Sequence, residues 1–149
     1  MQSLFDIGSR QSALGRLERL QPGAPRQWGK MSAAQMLAHC SIALEMATGD
    51  QPRKQKLIGK LFGPFVRSSL LGEKPFGKKS PTDPAFIVTQ DTDFEIEKQR
   101  LTRLVNSFCE SGPEKASAYM HSFLGRLKGE EWGVMMYKHL DHHLRQFGA

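Results

Sequence analysis

The sequence predicts an all-α fold, and three observations lead there. Apolar residues recur at helical spacing in several segments, clusters of Gly, Pro and Ser punctuate them, and no segment alternates convincingly as a strand would. At 149 residues the chain fits one domain, 1–149, built on a single core. Long connections at 21–31, 73–90 and 110–129 make the expected helical bundle less regular than a minimal up-and-down one.

The first helix is expected from Ser9 to Leu20, where Leu14, Leu17 and Leu20 share a spacing that ends at Gln21-Pro22-Gly23. Ser32 is a suitable N-cap for the second, with Gln35 completing a capping box and Met31 and Met36 placed as a hydrophobic staple. Its stripe runs through Met36, Leu37, Cys40, Ala43, Leu44 and Ala47 to a stop at Gly49-Asp50, and His39 falls on the flank of that stripe. Residues 54–72 read as a third helix whose apolar face would be Leu57, Ile58, Leu61, Phe62, Phe65 and Val66. Gly59, Gly63 and Pro64 interrupt it, which predicts a kink or two short helices. The stretch Gly72 to Gln90 reads as extended loop with Phe76, Phe86 and Ile87 as candidate anchors onto the body.

A fourth helix should run from Asp93, capped by Thr92 or Asp91, to Cys109, stopping at Glu110-Ser111-Gly112-Pro113. Phe94, Leu101, Leu104, Val105 and Phe108 form its inner face. Ala116 to Lys128 reads as a loop with a short additional turn. The last helix, Glu130 to Phe147, opens with two acidic residues where the helix dipole favours them.

The composition bounds the function. The apolar share of 39% and charged share of 24% suit a folded protein with a solvated surface. No run reaches the roughly 18 apolar residues of a membrane span, and the first residues lack the basic-then-apolar pattern of a secretory signal. Membrane partners are therefore not expected. Cys40 and Cys109 lie in predicted helices, where a free thiol behaves as a small apolar group, so a reducing cytoplasm is the expected setting. The formal charge of +6 comes from dispersed residues with clusters at Arg53-Lys54-Gln55-Lys56 and Lys74 to Lys79. Neither cluster is interleaved with exposed aromatics, so the charge reads as an ordinary basic surface and not as a nucleic-acid site. Phe76, Phe86 and Phe123 are candidate anchors for a homodimer.

Three of the five histidines lie in His139-Leu140-Asp141-His142-His143. At about 100° per residue, His139 and His143 are one turn apart and roughly 40° from each other, on the face shared with Trp132, Met136 and Phe147. His142 lies on the flank. Imidazoles on a core face need partners, since an unsatisfied buried polar group costs about 1–3 kcal/mol. Shared coordination of a cation is one answer, with three protein ligands and a position left open for water or substrate. His39, from a facing helix, is the best third ligand, because His121 is expected in a surface loop. Core histidines hydrogen-bonded to backbone or carboxylate groups are the other answer, and the residues alone leave both open. Leu140 excludes an HExxH arrangement.

The closing motif His139-Leu-Asp-His-His-Leu-Arg-Gln146, after Trp132 and Tyr137, resembles the HxxHHxxQ helix of the DinB-like, YfiT-like superfamily of bacterial helical-bundle proteins. Met31 to His39 and Met120 to Gly133 resemble corresponding elements of its DUF1569 branch, and the similarity covers essentially the whole chain. His121-Ser122 departs from the His-Pro pair usual in that branch. The resemblance implies a four-helix bundle with long connecting loops and a short additional helix, holding a divalent metal through His39, His139 and His143. It also implies activities that range from thiol-dependent transfer or isomerisation, with a low-molecular-weight thiol, to hydrolysis by activated water.

Three imidazoles suit Zn, Ni or Fe alike, and Cu as well. Asp141 and Glu45 are candidate partners for imidazole N–H groups. Cys40, one residue beyond His39, is a candidate soft ligand or nucleophile, with apolar filling as its commoner role. Tyr137 points away from the histidine face. Without a metal, the same bundle would be a binding module or a purely structural one.

Overall fold

Asp6 accepts the Ser9 backbone N–H at 2.8 Å and starts α1, Ile7–Arg19. The helix therefore begins before Ser9, which is itself buried beside Ala13 and Leu17. In the computed structural model, which describes residues 1–78, 80 and 82–149, four further helices follow: α2 Ala33–Thr48, α3 Leu57–Leu71, α4 Phe94–Ala116 and α5 Gly129–Gln146. Lys79, at the end of the second basic cluster, and Pro81, in the expected loop, lie outside the described residues. The described chain is thus predominantly helical, as its periodicity predicts.

The capping box of α2 forms as expected, with Ser32 Oγ accepting from Gln35 N–H and Gln35 Oε1 accepting from Ser32 N–H. Its stop is Gly49 at φ 83°, a left-handed conformation that glycine adopts without a Cβ clash. The Tyr119 ring packs directly on that glycine. From Met36 to Ala47 only Ile42 is not buried, so α2 is enclosed on nearly every side and its longest interface is with α4.

Asp93 caps α4 through Ile96 N–H, in place of the neighbouring Thr92 or Asp91. The expected break at Gly112 is present as a residue at φ 76°, ψ 171°, after which Pro113 restarts a short helical piece to Ala116. The segment that follows forms a two-residue antiparallel pair, Met120–His121 (β1) with Gly125–Arg126 (β2). His121 is accordingly not on a surface loop but on a strand that packs against α2.

α5 touches all four other helices. Trp132 and Leu144 are fully buried, and residues on the opposite side, Tyr137 and Asp141 among them, are buried too. It is a central helix, not one with a single inner face. Backbone bonds Leu4 N–H to Gly133 O and Gln27 N–H to Gln146 O bring the N-terminal segment and the loop before α2 onto it.

α3 departs most from expectation. It is one helix despite Pro64, and the residues it buries are Gly59 and Gly63. A Cβ at Gly59 would lie within 2.2 Å of the Phe123 carbonyl oxygen, so the glycine seam lets the helix backbone approach the hairpin directly. The large residues expected to form its inner face are mostly turned outward: Leu57 and Phe65 are each 81% exposed, and Ile58, Leu61 and Phe62 are also exposed. Small residues can approach a backbone more closely than large ones, and here that close approach sets the orientation. Among the candidate loop anchors, Phe86 is buried and Phe76 packs partly buried on the core, whereas Ile87 is exposed. Phe86 is thus packed in its own chain's core, and Phe76 and Phe123 pack partly buried against it.

No helix among the described residues is long and apolar enough to cross a membrane.

Candidate metal centre

The regular stripe of α2 places His39 toward α5, and the one-turn spacing of His139 and His143 places both rings opposite it. The ring centroids form a nearly equilateral triangle: 4.8 Å for His39–His139, 4.6 Å for His39–His143 and 4.7 Å for His139–His143. One ring nitrogen from each lies within 4.8 Å of the other two. His39 and His143 are buried, while His139 keeps partial exposure. The three histidines singled out in the sequence thus lie side by side in the structure.

Their hydrogen bonds fix how the rings are protonated. His39 Nδ1 is 2.8 Å from the backbone oxygen of Phe86. A carbonyl oxygen can only accept, so that nitrogen carries the proton and leaves a lone pair on Nε2. His143 Nδ1 is 2.9 Å from Gln146 Oε1, and Gln146 Nε2 donates to the Trp28 carbonyl at 2.7 Å. With its amide nitrogen committed to Trp28, Gln146 presents oxygen to His143, which must therefore donate from Nδ1. Two of the three rings thus have their Nε2 lone pairs free for the cluster. His39 Nε2 faces His139 Nε2 at 2.9 Å.

Burial sets the charge state. It pushes the His143 imidazole down to about 3, with His39 adding repulsion and the Gln146 bond opposing. Burial also lowers His39, against the Phe86 bond, and it lowers His139 well below the usual histidine range, with the neighbouring rings acting in the same direction. Three neutral imidazoles at neutral pH are the donor set a divalent cation requires. Tetrahedral nitrogens at 2.0–2.1 Å from zinc would stand about 3.3 Å apart. That spacing lies between the closest approach here, 2.9 Å, and the outer limit of 4.8 Å. The residues fit such an ion.

The expected carboxylate partners are otherwise engaged. Asp141 binds Arg16 at 2.6 Å and Arg145 at 2.9 Å, and Glu45 binds Arg100 and the Gln51 amide. The atoms that orient the imidazoles are instead the Phe86 carbonyl and the Gln146 amide. Gln146 stands three residues after His143 on the same helix, a spacing that could have revealed it. Nothing local in the loop marks the Phe86 carbonyl.

Cys40 is turned away from the cluster, its Sγ 3.8 Å from Met36 Sδ, and burial raises its thiol pKa strongly. It packs in the apolar core, outside the group of three histidines. His121 accepts from Phe123 N–H and Leu124 N–H at Nδ1, both at 3.1 Å, and so holds the hairpin turn. His142 lies beside the triad, its ring 5.0 Å from His143 and 5.4 Å from Trp28, with Phe76 at 6.0 Å. Tyr137 lies off the histidine face, as its phase requires, yet is buried beside Lys138 and Asp141.

The DUF1569 family, described as a protein of unknown function, matches residues 2–149. No curated protein matches the chain, and no solved structure does. Because the match runs over nearly its whole length, the chain belongs to the DUF1569 family.

Proposed function

We propose that this chain is a metal-dependent protein of the DinB-like type, in which His39, His139 and His143 hold one divalent ion that acts on a small molecule. The observation that carries the proposal is the pair of oxygen acceptors behind the rings. Phe86 O and Gln146 Oε1 each accept a hydrogen bond from an Nδ1–H, which aims the opposite nitrogens at a common point. The arrangement of α1, α2, α4 and α5 supports a four-helix-bundle reading, with α3 as the additional helix.

Zn, Ni and Fe all accept three imidazoles. An ion there would supply Lewis acidity at its remaining position, where a low-molecular-weight thiol or water is the co-reactant of transfer or hydrolysis. The chain's own contribution is positional. Gln146 and Phe86 hold two imidazoles in one tautomer, burial keeps all three neutral, and Trp28, Phe76 and His142 form an aromatic wall beside them. Two unpaired cysteines fit a reducing, bacterial cytoplasm.

Elemental analysis of purified protein, with zinc titration of the chelated form, tests this reading. One ion per chain is expected, and His39→Ala or His143→Ala should weaken binding by at least about 100-fold, equivalent to ~2.7 kcal/mol. His142→Ala should leave it within a few-fold. If neither wild type nor chelated protein takes up metal, or the three variants bind alike, the site is not a metal centre.

A second reading has one supporting observation. The 2.9 Å approach of His39 Nε2 to His139 Nε2 also satisfies a hydrogen bond between two core histidines. In that case the cluster is structural, and His39→Ala lowers stability without altering metal content.

A further inference from the structure

The outer face of α3 is apolar without cover. Leu57, Ile58, Leu61, Phe62 and Phe65 are between 49% and 81% exposed, whereas ordinary surfaces scatter such residues singly. Taking Gly59 and Gly63 as the buried seam, a turn of about 100° per residue puts Leu57, Leu61 and Phe65 on the opposite side. Lys60 sits on the flank, and Lys54 is exposed just before the first turn.

The sequence segment that carries this helix is biased to positive charge. The chain holds 21 Lys and Arg against 15 Asp and Glu, and residues 51–82 contain eight of the former and one of the latter. The remaining 13 basic and 14 acidic residues nearly cancel. The whole excess positive charge therefore lies in the segment that carries the uncovered apolar face. Lys56 pairs with Asp83 and Arg67 with Glu131, which leaves Lys54 and Lys60 as the exposed cations beside the apolar face.

A second copy meeting this face through its own α3 would bring two strongly basic segments together, which disfavours self-association there. The face is the convex side of one helix, so a protein partner would need a matching groove as well as acidic charge. An anionic lipid surface needs neither groove nor register. It accepts apolar side chains at the boundary between headgroups and acyl chains, and it attracts the lysines beside them.

We propose that α3 is an interfacial helix that seats this protein on an anionic membrane surface, with Leu57, Leu61 and Phe65 dipping below the headgroups and Lys54 and Lys60 at the phosphates. The expectation of no membrane partner rested on the lack of a spanning segment, which a helix lying in the interface does not need. The surface lies apart from the three histidines, so it stands whether or not they hold a metal.

Sedimentation of the full chain with phosphatidylcholine vesicles, with and without phosphatidylglycerol, tests the proposal. The protein should bind the anionic vesicles at least roughly tenfold better than the neutral ones, and raised salt should release it. The double substitution Leu61→Gln with Phe65→Gln should lose about tenfold or more in binding, with an unchanged thermal melt. Lys54→Glu with Lys60→Glu removes the electrostatic part without touching the apolar face. It decides the matter should the first variant fold poorly. Three outcomes overturn the proposal: no binding to anionic vesicles, equal binding to both vesicle types, or a wild-type dimer in light scattering that Leu61→Gln with Phe65→Gln makes monomeric.

Discussion

The histidine cluster between α2 and α5 and the outer face of α3 depart in opposite directions from the rule that apolar groups go inside and polar groups outside. The cluster places polar rings between α2 and α5, two of them buried, and α3 shows large apolar side chains to solvent. The two differ in how the departure is compensated. Two of the rings have a named oxygen acceptor, Phe86 O or Gln146 Oε1, and the third faces His39 Nε2. On α3, Leu57 and Phe65 are left largely uncovered by the described residues. The cluster is complete in itself apart from what its lone pairs would bind. The face of α3 is complete only against something outside the chain.

The strongest way to break this comparison is to remove an acceptor and leave the ligands. Gln146→Ala deletes the oxygen behind His143 and the amide that ties α5 to the Trp28 carbonyl. Loss of such an outer partner typically weakens metal affinity about 10- to 100-fold. Zinc titration of the chelated variant measures it. Affinity within twofold of wild type would mean that packing alone orients His143.

The other half of the comparison is sharpened at the glycine seam. Gly59→Ala places a methyl group against the Phe123 carbonyl oxygen, a backbone atom that cannot swing aside. Overpacking of this kind costs about 1–3 kcal/mol, offset by up to about 1 kcal/mol of gained helix propensity. A net loss of about 1–2 kcal/mol in urea unfolding is expected. Since exposed sites away from special features usually change stability by no more than about 0.5 kcal/mol, Leu61→Ala on the far side should be nearly silent. An equal loss at both positions would show that the outward leucines already have a partner.

Much of this was legible in the sequence, and the reasons are local. Ser32 and Gln35 fix the start of α2 by chemistry within four residues, and the spacing of His139 and His143 fixes their shared direction. What lay beyond reading was the packing of α3. Its apolar residues have helical periodicity whether they face a core or a membrane, and only the proximity of Phe123 to Gly59 decides which side is buried. The carboxylates failed for a related reason. Asp141 and Glu45 stand close in sequence to the histidines, but Arg16 and Arg100, distant in sequence, claim them. Phe86 was legible as an anchor by its type, whereas its carbonyl's bond to His39 depends on how the whole loop folds back.

A pH-dependent effect concerns a histidine that belongs to neither region. His121 accepts two backbone N–H groups at Nδ1, so it must stay neutral there, and burial pushes its pKa down to about 4 from the ordinary 6.5, against the attraction of Asp83. The unfolded chain takes up a proton as pH falls below about 6.5 while the folded chain does not, so stability present at neutral pH is lost between about 6.5 and 4. One proton corresponds to at most about 1.4 kcal/mol per pH unit across that window. His39, His139, His142 and His143 are shifted in the same direction and add to the total acid sensitivity. His121→Asn isolates one share, because the Asn side-chain oxygen stands near the place of Nδ1 and still accepts from Phe123 and Leu124 but does not titrate. Urea midpoints measured from pH 7 to pH 4.5 should fall less steeply in the variant than in the wild type, with chelator present in both. His121→Ala should instead be destabilised at every pH, since it leaves those two N–H groups without their acceptor. Parallel pH profiles for wild type and His121→Asn would mean that the ring is already open to protonation in the folded hairpin.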